Sequence, residues 1–97
     1  MTKQEKQHLS LDVAAKYGVV PFITIFRNDD YDDIWLHNDS ARCFGLMVEH
    51  DIEVAYTKHV AVAYYHLRNC VQVPFNPYPT KQEATRIAIL KALLAKE

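Results

Sequence analysis

Near residue 50 the spacing of apolar residues changes from helical to alternating, and this change limits the folds open to the chain more than any other feature. In SARCFGLMVEH, Phe44, Met47 and Val48 fall on one helical face with Cys43 beside them, and Asn38 or Asp39 stands in N-cap position, which predicts a helix over about 40–49. Immediately afterwards Ile52, Val54 and Tyr56, then Val60, Val62 and Tyr64, alternate. Residues two apart share one face of a strand, and Thr57, Lys58 and His59 supply a short turn between two antiparallel strands. On that pattern Tyr56 and Tyr64 belong with Ile52, Val54 and Val62 on the core face.

Two capping boxes bracket this centre. Thr2-x-x-Glu5 precedes Leu9, Val13 and Tyr17 at four-residue spacing, with Gly18 placed as a stop, so a helix is expected over about 3–17. Thr80-x-x-Glu83 opens a second such segment, where Ile87, Leu90 and Leu94 with Ala84 and Ala88 form an apolar stripe over about 80–95. VVPFITIF is rich in β-branched and aromatic residues and predicts a strand over about 22–27. The acidic NDDYDD reads as a loop, and Ile34, Trp35 and Leu36 are compatible with a short return strand. Val71 to Val73 can extend the sheet after an Arg68-Asn69 turn. PFNPYP, with three prolines in six residues, reads as a rigid connector. The expected architecture is α+β: three helices packed on an antiparallel sheet of three to four strands. A chain of 97 residues, with no repeat, low-complexity tract or shift in composition, forms one domain over residues 1–97.

Charge is unevenly distributed. From Asn28 to Glu53 there are eight acids (Asp29, Asp30, Asp32, Asp33, Asp39, Glu49, Asp51 and Glu53) against Arg42 alone, a local balance of −7. The other 71 residues carry ten bases and four acids, or +6, which recovers the net −1. A field of one sign on one side attracts and orients a surface of the other sign. The carboxylates of Asp29, Asp30, Asp32 and Asp33, with Tyr31 among them and Asp39, Glu49, Asp51 and Glu53 further on, are therefore the candidate partner-binding residues. Gathered on one side they would meet a Lys- and Arg-lined groove as a phosphate backbone does.

Other chemistries fit less well. As a calcium loop starting at Asn28, the segment has Asp33 where glycine is required at position 6 and Asp39 where glutamate is required at position 12. As a plain solvated turn it is unremarkable, since Asn and Asp favour turns. His8, His37, His50, His59 and His66 are scattered, and no pair has His-x-x-x-His spacing, so no metal site is expected. No nucleophile motif is present, and two glycines cannot build a phosphate-cradling loop; no catalytic residue and no cofactor is expected. Cys43 and Cys70 form no Cys-x-x-Cys motif and read as buried free thiols of a reducing compartment. No run approaches the roughly 20 apolar residues of a membrane span, and the polar start MTKQEKQHLSLD has no signal-peptide character, so a cytoplasmic location is expected. The alternative is a regulator that binds nucleic acid directly, stacking bases on Tyr56, Tyr64 and Tyr65 beside Lys58, Arg68, Lys81, Arg86 and Lys91. It is disfavoured because two of those tyrosines belong to the expected core face.

Over about residues 39–97, the order of helix, strands and capping box, followed by KQEATRIAILKALLAKE, resembles small phage-encoded proteins of helix–hairpin–helix build. The length, the lack of catalytic motifs and the acidic NDDYDD are similar to anti-CRISPR proteins, most closely those that inhibit type I-F surveillance complexes by posing as double-stranded DNA. The resemblance implies a stoichiometric inhibitor without cofactor, acting in the cytoplasm of an infected bacterial host. It would dock in the groove that holds target DNA through Asp29, Asp30, Asp32 and Asp33, with Glu49, Asp51 and Glu53 as outlying phosphate stand-ins. A pI near 6.5 limits such mimicry to a patch.

Overall fold

The computed structural model describes residues 1–97. Thr2 caps the first helix, α1 (Lys3–Tyr17), as the sequence pattern requires. Its hydroxyl accepts the Glu5 backbone N–H at 3.1 Å, and the Glu5 carboxylate accepts the Thr2 N–H at 2.9 Å. Gly18 ends the helix at φ 68°, a left-handed conformation open to glycine without strain. Strands β1 (Phe22–Arg27) and β2 (Asp30–Trp35) follow. A single 3₁₀ turn over Leu36–Asn38 then leads into α2 (Ser40–Glu49), whose N-cap Asp39 accepts the Arg42 N–H at 3.2 Å. Strands β3 (Glu53–Tyr56), β4 (Val60–Tyr64) and β5 (Cys70–Pro74) precede the last helix, α3 (Lys81–Ala95).

The α+β class and the three helices are as the periodicity predicts. Helix α3 is the centre of the core: Ala84, Ile87, Ala88, Ile89, Leu90, Ala92 and Leu93 are all buried, because β4, β5, α1, α2 and the 3₁₀ turn all pack against it. Its alanines at four-residue spacing and the buried Ala61 and Ala63 of β4 let backbones approach closely. Pro74 lies on β5, an edge of the β3-β4-β5 sheet, where its missing N–H breaks no ladder.

Two expectations about the strands need correction. Tyr56 and Tyr64 do not share a face. Tyr56 pairs with Ala61 and Val54 with Ala63, so the four residues between the Tyr56–Ala61 pair, an even number, place even-numbered residues of β3 opposite odd-numbered residues of β4. Paired residues share a face. Val54 and Tyr56 therefore lie on the face of Ala61, Ala63 and Val73, with Val62 and Tyr64 on the other.

The second correction concerns NDDYDD. Only Asn28 and Asp29 form a turn; Asp30–Trp35 is a strand paired in full register with β1, from Arg27 opposite Asp30 to Phe22 opposite Trp35. Asn28 and Asp29 both have positive φ, 49° and 62°, as in the two-residue turn whose twist matches a hairpin, and Asn and Asp tolerate that region. The aspartates are admitted to the strand because each is exposed and keeps its water. The expected short return strand is thus the end of a six-residue one, and the five strands form two sheets, β1-β2 and β3-β4-β5.

Candidate functional site

The β1–β2 hairpin is an arm. Its strands pack on each other and scarcely on the rest of the molecule, which measures 47 × 29 × 20 Å. At its base the Leu36 N–H donates to the Pro21 carbonyl at 2.9 Å, and the Arg42 guanidinium donates to the Val20 carbonyl. The 3₁₀ turn that carries the arm is held from inside. His37 is buried: its Nδ1 lies at hydrogen-bond distance, 2.8 Å, from the Ser10 hydroxyl oxygen, its backbone N–H donates to the same oxygen at 3.0 Å, and its carbonyl accepts from Arg86 Nε at 2.9 Å. Burial, with the nearby Lys6 and Arg86 cations, keeps the His37 pKa below its ordinary value despite the opposing Glu83 charge.

The register sorts the arm's side chains into two faces. Phe22 with Trp35, Thr24 with Asp33, and Phe26 with Tyr31 lie on one; Ile23 with Ile34, Ile25 with Asp32, and Arg27 with Asp30 lie on the other. The first is an aromatic face, with ring centroids 4.9 Å apart for Phe22–Trp35 and 5.1 Å for Phe26–Tyr31. Its one carboxylate, Asp33, accepts the Thr24 hydroxyl at 2.7 Å. Asp30 and Asp32 point from the other face and Asp29 sits at the tip.

The structure thus brings together Asp29, Asp30, Tyr31, Asp32 and Asp33 on one arm. Asp39 is placed at the N-terminus of α2 as its cap. Glu49, Asp51 and Glu53 cluster where α2 ends, Asp51 in the left-handed conformation at φ 57°. Ten residues of α2, about 15 Å, separate the groups, so the eight carboxylates form two patches and a cap rather than one continuous face. None of them is in an ion pair: the one salt bridge of the molecule joins Lys6 to Glu83, between α1 and α3.

Beside the arm's base runs a groove, about 720 Å³ in volume, that the sequence reading does not anticipate. Phe44 and Ala41 of α2, Tyr56 of the edge strand β3, Phe75, and Lys81, Thr85, Arg86 and Ile89 of α3 line it. It continues along Met47, Ile52 and Val54. Tyr56 and Thr85 hydroxyls lie 3.0 Å apart across it, Lys81 Nζ stands 5.3 Å from the Phe75 ring centre, and Arg86 Nη1 donates to the Ser40 hydroxyl at 2.8 Å. The wider end carries two cations and no carboxylate. The signal for it in the sequence is the exposed Phe44 on a helix and Tyr56 on a strand, residues that periodicity alone assigns to the core.

No group of three or more His, Cys, Asp or Glu side chains is placed to hold a metal ion, and no helix is long and apolar enough to cross a membrane. Cys43 is buried, its Sγ 3.1 Å from the Leu36 carbonyl oxygen, and burial pushes its pKa up to about 12. Cys70 is only half-buried, on the face of the sheet away from α3, which corrects the expectation that both thiols are buried. Compared with known protein families, curated proteins and solved structures, the chain has no significant match.

Proposed function

We propose that this protein works by binding, and that its acidic arm docks into the basic groove in which a partner holds nucleic acid, the mode implied by the likeness to type I-F anti-CRISPR inhibitors. The observation that carries the reading is an exposed hairpin bearing four carboxylates, none of them in an ion pair. Along β2, side chains on one face repeat about every 6.8 Å, so Asp30 and Asp32 form a regularly spaced row of like charge, as the phosphates of a DNA strand do. Asp29 extends the row to the tip. A second patch at Glu49, Asp51 and Glu53 lies beyond α2 as an outlying contact.

The test is a pull-down of purified type I-F surveillance complex, with double-stranded target DNA as competitor. The triple variant Asp29→Asn, Asp30→Lys, Asp32→Lys reverses the arm's charge and keeps a residue that tolerates the left-handed turn at position 29. Loss of binding with unchanged circular dichroism, and competition between the wild-type chain and DNA, are the expected results. Binding should also weaken with added salt, mainly through slower association. Retention of binding by the triple variant removes the proposal, and a gel shift of DNA or RNA by the chain itself replaces it with direct nucleic-acid recognition.

A further inference from the structure

We propose that two copies of this chain exchange arms, the aromatic face of each β1–β2 hairpin seating in the α2–β3–α3 groove of the other. An isolated two-stranded hairpin is at best marginally stable in water, and this one leaves Phe22, Phe26 and Tyr31 at 38%, 60% and 72% exposure on the same face. A contiguous apolar surface of that kind marks a contact. The groove supplies the matching chemistry, with Phe44, Tyr56 and Phe75 for the rings and Lys81 and Arg86 for charge. The one carboxylate on the ring face is Asp33, and Lys81 has no ion pair within its own chain.

Size and symmetry agree. At about 200 Å² per aromatic side chain, Phe22, Phe26 and Tyr31 together still expose roughly 340 Å². With a like area covered in the groove and the contact made twice, the exchange buries roughly 1,400 Å², within the range of specific protein interfaces. Each copy has one arm and one groove, and Trp35 at the arm's base leads through one 3₁₀ turn to Ser40 and Ala41 of the groove wall. Made reciprocally about a two-fold axis, the two contacts close a dimer instead of propagating. Asp29, Asp30 and Asp32 stay on the outward side, and dimerisation therefore does not depend on the reading proposed above.

Sedimentation equilibrium of the full chain at low salt tests this. The wild type should shift from 11.2 kDa to twice that mass at concentrations up to about 100 µM, the affinity range of a weak interface. Phe26→Ser with Tyr31→Ser should leave a monomer with unchanged circular dichroism. Asp33→Lys and Lys81→Asp should each raise the dimer dissociation constant about tenfold or more, and the two together should restore it, because the swap rebuilds the pair. The Asp29, Asp30, Asp32 triple variant should remain dimeric. A wild type that stays monomeric throughout, a dimer indifferent to the arm variants, or a double charge swap that fails to restore association overturns the proposal.

Discussion

Replacing Ser10 by alanine removes one oxygen from a place with no access to water. That oxygen serves His37 twice, accepting its backbone N–H at 3.0 Å and hydrogen-bonding Nδ1 at 2.8 Å. Ser10 is fully buried and His37 nearly so. Alanine fits the space, so no clash arises; the loss is that two polar groups of His37 lose their partner inside the core. Each such group costs about 1–3 kcal/mol, offset in part because the serine hydroxyl no longer has to be desolvated. The net loss is about 2–4 kcal/mol, a large share of the 5–15 kcal/mol typical of a domain. At about 4–8 °C per kcal/mol for a chain of this size, Tm should fall by roughly 8–32 °C. Urea titration followed by circular dichroism reads the loss directly, with an unchanged m-value showing that the same surface is exposed on unfolding. Because the His37 carbonyl also holds Arg86, the base of the arm loosens with the same change. A loss below about 0.5 kcal/mol, the scatter of surface substitutions, would refute the assignment of Ser10 and His37 as the tie between α1 and the arm.

Burial lowers the His37 pKa below its ordinary 6.5, so on acidification the unfolded chain takes up this proton before the folded one. Stability from this group is complete above about pH 6.5 and declines as pH falls below it toward the folded pKa, at no more than about 1.4 kcal/mol per pH unit; a Tm series from pH 8 to 5 checks the sign, and a Tm that rises on acidification contradicts it. With its pKa pushed up to about 12 and its side chain buried, Cys43 should not react with a disulfide reagent at pH 8, where Cys70 should. Native protein then titrates as one thiol and urea-unfolded protein as two. Leu90→Ala, at a fully buried position on α3, should lower stability by about 2–5 kcal/mol, read as a lower urea midpoint, and a loss under about 1 kcal/mol would mean the core there is not close-packed.

Helices α1, α2 and α3 and strands β1, β3, β4 and β5 were legible in the amino-acid order because caps and periodicity act over three to eight residues. Thr2 with Glu5, Thr80 with Glu83 and Asp39 before Arg42 find their partners within one turn, so no distant contact is needed to know where these helices begin. The concentration of acid between Asn28 and Glu53 was equally plain, being composition alone. Tertiary structure decided the rest. Three aspartates lower the intrinsic preference of Asp30–Trp35 for a strand, and the turn at Asn28 and Asp29 with six cross-strand pairs overrode it. The face of Tyr56 depended on whether an odd or even number of residues lay between its pair partners, which the alternation cannot report. How the carboxylates divide between the arm and the end of α2, and that a groove opens between α2 and β3, follow from packing around α3. Those arrangements depend on residues dozens of positions apart meeting in space, and the spacing of neighbours along the chain carries no record of such meetings.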